Sequence, residues 1–252
     1  MESARDANDR FAPIYDAWNA QNNYEMWLGE LLLPELEKRG LRRGWALDVG
    51  CATGRAFNPL LDRGWQLVGC DVSPGMLAEA RRKFGSRVQL LGVDARGLPA
   101  IRPFQLVLLL NDVSNYLTED GDLEKVFASA RRNLSHDRGL LVFDANTLAL
   151  FRKDYASAVI VVSKEGWEWH GLSDEIEPEG IYEGRFSGPD LETHLHRQRH
   201  WSTAQVTKAL EASGLRCLAA LGQREEGSRI LLSDSADEER DAKVVYIATH
   251  AA

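Results

Sequence analysis

Five apolar runs in this 252-residue chain carry or end on an acid or an amide. Trp45 to Val49 carries Asp48, and Gln66 to Cys70 is followed by Asp71. Arg87 to Gly92 leads into Val93-Asp94-Ala95, Phe104 to Leu110 stops at Asn111-Asp112, and Leu140 to Phe143 stops at Asp144. A carboxylate offers acceptors to two neighbouring donors, and beside a reacting group it can take a proton. The other candidates for proton transfer are His170, His194, His196 and His200. The two-residue step from His194 to His196 puts both on one face of a strand. A metal would need a clear third ligand, so that face is read as lining substrate or solvent. His136 falls in the turn entering the fifth run and is set aside as a catalyst.

These residues need elements to position them. Ala46 to Arg55 reads as a short buried strand, a glycine-bearing turn and the start of a helix, the place where an open α/β sheet receives a nucleotide-like ligand. A dinucleotide loop needs glycine at its first, third and sixth positions; here these are Gly50, Ala52 and Arg55, and only the first fits. Ser73-Pro74 is a strong helix start, with Met76, Leu77 and Ala80 as its apolar stripe. Leu123, Val126, Phe127, Ala130 and Leu134 share one face of a further helix.

Strands alternating with helices predict an α/β fold: a Rossmann-like, seven-stranded, mostly parallel sheet with helices on both faces. Ser202 to Gln205 is a capping box, and Leu215 to Leu221 and Lys243 to Thr249 are the last two strands. The charged stretch Arg224 to Asp241 between them is expected to be an exposed loop. From about Ser157 to His200 four strand-like runs predict an antiparallel β insertion that caps the ligand edge. The predicted division is a helical lid over 1–40, a core of 41–156 and 201–252, and a substrate cap over 157–200. Residues 1–10 read as polar and loose, and Tyr24 to Leu36 as one helix stopped by Gly40.

The sequence resembles a class I S-adenosylmethionine-dependent methyltransferase of the small-molecule type, over roughly Phe11 to Phe143. Leu47 to Gly54 resembles the family's first motif, with Ala52 in place of the commoner glycine. The resemblance implies cofactor contacts from Asp48, Gly50, Ala52 and Gly54. It implies that Asp71 accepts both ribose hydroxyls and that Met76 packs on adenine. Asp94-Ala95 resembles the station that meets the adenine amino group, and Asn111 the one that meets the methionine moiety. Tyr15, Tyr24 and Trp27 resemble an entrance helix whose hydroxyl or indole edge reaches the methionine carboxylate.

Methyl transfer from a sulfonium is an in-line displacement with the leaving group in place, so positioning and exclusion of water matter most. A base helps when the acceptor must lose a proton; His170, His194, His196, Asp112 and Asp144 are the candidates. The implied reaction places a methyl group on nitrogen or oxygen of a small molecule such as a natural-product or amino-sugar intermediate. Trp167, Trp169 and Trp201 are in or beside the cap and are expected to line its pocket. The alternatives are a nicotinamide-dependent oxidoreductase, disfavoured by Ala52 and Arg55, and a non-catalytic module that binds S-adenosylmethionine.

Composition sets the broader bounds. A formal charge of −8 with no basic tract argues against a nucleic-acid partner. Cys51, Cys70 and Cys217 lack metal spacing and read as reduced thiols of a cytoplasmic protein. No membrane partner and no metal are expected, and the chain is read as a monomer or homodimer.

Overall fold

The structure, a computed structural model, describes residues 3–226 and 229–251. Strands β1 (Trp45–Val49), β2 (Gln66–Asp71), β3 (Gln89–Gly92), β4 (Leu106–Leu109) and β5 (Leu140–Asn146) pair in parallel in the order β3-β2-β1-β4-β5. Every residue of β4 and β5 is buried, because helices cover both faces of the sheet there. Alternate residues serve the two sides: Ala46 and Leu106 enter one core layer, Leu47 and Val107 the other.

The first layer packs against α3 (Tyr24–Trp27), α4 (Leu33–Lys38), α5 (Phe57–Leu61) and α6 (Pro74–Phe84). These follow α1 (Ala4–Phe11) and α2 (Tyr15–Trp18) in the chain. The second layer packs against α7 (Asp122–Asn133) and α9 (Thr203–Ala212), and α8 (Leu148–Asp154) follows β5 directly. The Ser73-Pro74 start and the Ser202 to Gln205 capping box both form.

Three expectations change. The segment expected to be loose forms α1, capped by the Ser3 side chain accepting from Asp6 N and tied down by Asp9, which accepts from Gly75 N at 2.8 Å. The single helix expected over Tyr24 to Leu36 is divided by a π-turn, Leu28–Leu32. The sheet has eight strands rather than seven. After the cap, β10 (Leu215–Glu226) runs past its expected end and pairs with β11 (Arg229–Ser233), inside the stretch expected to be a loop. The charges misled there: Arg224 pairs with buried Asp241 at 2.7 Å, so they fold the segment back on itself. Residues 227 and 228 of that stretch lie outside the described residues. Strand β12 (Lys243–His250) then inserts antiparallel between β5 and β10.

A second sheet holds β6 (Ile160–Val162), β7 (Glu168–Gly171), β8 (Ile181–Gly188) and β9 (Leu191–Arg199), all antiparallel in that order. Phe186, His194, His196 and Gln198 are buried on its inner face. Helix α1 bridges the two sheets: Phe11 meets Phe186 at 4.7 Å between ring centroids, and Arg10 pairs with Glu192 at 3.2 Å. Among the described residues no helix is long and apolar enough to cross a membrane.

Candidate active site

The sheet order reverses between β1 and β4, and the crevice at such a reversal is where open α/β sheets bind ligands. A cavity of about 510 Å³ opens there and extends to the inner face of the second sheet. The turn after β1 builds its first wall. Gly50 has φ +72°, and a side chain there would run into Val113. Ala52 holds φ +45° despite its side chain, with its N–H donated to Asp71 at 2.8 Å. The other Asp71 oxygen accepts from Ser73 N at 2.8 Å, which fixes the carboxylate at the cavity wall with a lone pair left on each oxygen. Burial raises the Asp71 carboxyl above its ordinary range against these backbone donors. Met76, Val93 and Ala95 add an apolar floor.

Three expected cofactor residues lie elsewhere, Gly54, Asp94 and Trp27. Gly54, at φ +82°, packs against Phe57 and Phe84 and does not line this cavity. Asp94 accepts from Arg96 N at 2.9 Å and pairs with the Arg96 guanidinium at 2.6 Å, so its carboxylate is turned to that side chain.

The next stretch of wall comes from the turn after β4. Asn111 and Asp112 both have left-handed backbones, φ +65° and +75°. The Asp144 carboxylate holds them there, accepting from Asn111 N at 2.8 Å and Asp112 N at 3.0 Å. Asp144 is thus a support beneath the site and is absent from the cavity wall, although it was a candidate base. Asn111 Nδ2 donates to the Tyr15 hydroxyl at 2.9 Å. Tyr15 and Tyr24 line the cavity; Trp27 is 2% exposed in the core behind them, a correction set by the phase of its helix. Asp48 lines the same end, its carboxyl pushed up to about 8 by burial and by Asp71.

The far half is aromatic: Phe11, Tyr116, Tyr155, Trp169 and Phe186. His196 joins them, with Nδ1 2.6 Å from the Tyr116 hydroxyl and Nε2 buried without a hydrogen-bond partner among the described residues. Burial, reinforced by neighbouring His194, pushes the His196 imidazole down to about 3. Two other candidate histidines are not in this wall. His194 sets Nδ1 2.8 Å from the Glu192 carbonyl and stacks on Phe186, and His170 faces outward beside Arg185. Of the expected tryptophans only Trp169 lines the cavity; Trp201 is buried, donating to the Ser114 and Leu117 carbonyls at 3.1 Å.

Sequence reasoning missed Lys243, Gln198 and Tyr116. Lys243 pairs with Asp112 and lies 3.5 Å from Asp144. Burial would lower the ammonium, but the two carboxylates hold it above its ordinary range. Burial would likewise raise Asp112, and Lys243 holds it below the usual carboxylate range.

An open α/β sheet with a glycine turn, an acid at the second strand end and a second, aromatic half-cavity has the form of a site for a nucleoside-bearing ligand beside a second molecule. Residues 46–137 match the methyltransferase domain family. A methyltransferase of Geobacillus sp. is 26% identical over 253 residues, covering 95% of this chain and 98% of the relative. An S-adenosylmethionine-dependent methyltransferase structure from Clostridium acetobutylicum aligns at TM-score 0.78 and 20% identity, over 97% of this chain and 99% of that one. The sugar N-methyltransferase KedS8 of Streptoalloteichus aligns at TM-score 0.70 and 18% identity, over 94% and 93%. With the methyltransferase domain over residues 46–137 and these likenesses, the chain is an S-adenosylmethionine-dependent methyltransferase on a Rossmann-like sheet, which counts against the nicotinamide-dependent alternative.

Proposed function

We propose that this enzyme transfers the methyl group of S-adenosylmethionine to a nitrogen atom of a small-molecule amine held between Asp112 and the inner face of the second sheet. The residues suit the cofactor: Gly50 leaves room that a side chain would fill, Asp71 is anchored with lone pairs to spare, and Met76 lies below. In this reading Asp71 holds the ribose, and Val93, Met76 and Ala95 hold the base. When bound, the sulfonium supplies an activated methyl group that carries its own leaving group.

The observation that carries nitrogen over oxygen is the protonation chemistry of the acceptor half. A hydroxyl must lose a proton to become a good nucleophile, whereas a neutral amine attacks directly. His196, held neutral down to about pH 3, is a weak base, but its unpartnered Nε2 positions a polar group. Asp112 is ionised and lines the cavity, where it stabilises the positive charge that develops on the acceptor nitrogen. Lys243, the lysine in this wall, is committed to two carboxylates, so an acidic acceptor finds no free ammonium there. The names of structural neighbours support the same class, among them KedS8 and the amino pentose methyltransferase CalS10.

We assign residues 157–200 as the acceptor cap and 1–40 as the lid, in a cytoplasmic protein. The test is a panel of small amines and their matching alcohols incubated with S-adenosylmethionine and read by mass. Methylation of amines is expected; methylation confined to alcohols overturns the reading. Binding of S-adenosylhomocysteine with no methyl transfer to any member points instead to a non-catalytic binding module.

A further inference from the structure

Gln198 is buried on the inner face of the second sheet, and its amide has one orientation that suits its neighbours. Its Oε1 accepts from Asn146 Nδ2 at 3.0 Å, so its Nε2 is turned to Asp112, 3.4 Å from a carboxylate oxygen. An ionised carboxylate is an acceptor only, so reversing the amide would set oxygen against oxygen. The same Nε2 also donates to the Tyr116 hydroxyl.

That bond decides where the Tyr116 proton goes. The phenol oxygen receives a hydrogen from Gln198, and the acceptor left for its own O–H among the described residues is His196 Nδ1, at 2.6 Å. The imidazole is neutral and carries one ring proton; with Nδ1 accepting, that proton is on Nε2. The other tautomer would set Nδ1–H against the phenol oxygen and leave the O–H with nothing to donate to.

Nε2 is buried, on a residue of the cavity wall, and has no hydrogen-bond partner among the described residues. The Trp169 indole N–H, in the same wall, is spent on the Asp154 carbonyl at 2.6 Å. The aromatic half of the cavity therefore holds an unspent N–H donor of fixed orientation.

We propose that His196 determines acceptor specificity: its Nε2–H, set by the chain from Asp112 through Gln198 and Tyr116, donates a hydrogen bond to an oxygen of the methyl acceptor. The acceptor is thus an amine whose skeleton also carries an ether, hydroxyl or carbonyl oxygen. This rests on the amine reading above. Asp112 faces the nitrogen, and through Gln198 and Tyr116 the same carboxylate fixes the donor that meets the oxygen. An amine with a purely hydrocarbon body leaves that N–H buried and unmet, a cost that an oxygen-bearing acceptor avoids.

Two measurements on the full-length enzyme test this. NMR of the imidazole nitrogens in isotope-labelled protein, with the His196 signal identified by its loss in His196→Phe, is expected to show the proton on Nε2 at neutral pH. A proton on Nδ1 overturns the proposal. The kinetic probes are cyclohexylamine and an aminotetrahydropyran, the same ring with an ether oxygen that accepts but cannot donate. The wild type is expected to favour the ether by about tenfold in kcat/KM. His196→Phe should bring the two within about threefold, and His196→Gln, whose amide keeps an N–H, should restore part of the preference. Equal loss on both amines in H196F means a structural role only and overturns the proposal, as does a preference that survives it. Amines methylated by the wild type with no preference for oxygen overturn this proposal alone. A wild type that methylates no amine of the panel removes the amine reading itself, and the proposal with it.

Discussion

The Tyr116 hydroxyl and His196 Nδ1 are 2.6 Å apart, a hydrogen bond that joins the segment after β4 to the inner face of the second sheet. It joins a half-buried tyrosine beside the main sheet to a buried histidine of the second sheet, so its loss is felt by both. Tyr116→Phe leaves a buried imidazole nitrogen without its partner, at a cost of about 1–3 kcal/mol. The expected fall in melting temperature is about 2–4 °C for each kcal/mol. A double-mutant cycle with His196→Phe should return an interaction energy of about 1 kcal/mol, and additivity would show that the contact is not formed.

Asp48 makes stability depend on pH. Its folded carboxyl is pushed up to about 8, against an ordinary value of 3.8. Between these limits the folded state holds a proton that the unfolded state has released, so stability falls as pH rises through the window. Asp48→Asn, compared with wild type in the ligand-free protein, should flatten this slope and be the more stable variant above pH 8. Urea denaturation at a series of pH values measures it; parallel profiles for the two proteins would contradict it.

Ala52 and Gly50 should respond in opposite ways. Ala52 holds φ +45°, a conformation that costs a residue with a side chain about 1–2 kcal/mol. Ala52→Gly relieves that strain but gives the unfolded chain more freedom, for a net change of about 1 kcal/mol or less. The N–H donated to Asp71 survives, so affinity for S-adenosylhomocysteine should be unchanged. Gly50→Ala adds a side chain that collides with Val113 at φ +72° and should abolish binding. Isothermal titration of both variants decides between them.

Asp144 holds two consecutive left-handed residues through their N–H groups and shares Lys243 with Asp112. Asp144→Asn keeps one acceptor but turns an amide donor toward a backbone donor. The expected loss is about 3 kcal/mol or more, since it also weakens a buried ion cluster. Affinity for S-adenosylhomocysteine should fall with it, because Asn111 then loses its orientation. Denaturation and titration on one preparation check both; a variant as stable as wild type would show that the turn holds itself.

Much of the sheet and part of the site were legible from local pattern. Asp71, Met76 and Asn111 line the cavity because they stand just after apolar runs or just inside a capped helix, positions that a linear reading can find. Asp94 stands in such a position too, yet Arg96, two residues on, captures its carboxylate, and that competition is invisible in the spacing. Trp27 belongs to the right helix but to its buried face, and the π-turn after it shows how far that helix departs from regular phase. Lys243 lies 131 residues from Asp112, and only the antiparallel insertion of β12 beside β5 brings them together. Arg55 was read as a departure from a glycine pattern; its side chain pairs with Glu25, 30 residues earlier.

Helix α1 is a wall common to both halves of the cavity. Asp9 fastens it to the start of α6, above Met76, while Phe11 rests on Phe186 and edges His196. Each ligand therefore meets a wall whose position is fixed partly by contacts in the other ligand's half, so a substitution that shifts α1 disturbs both at once.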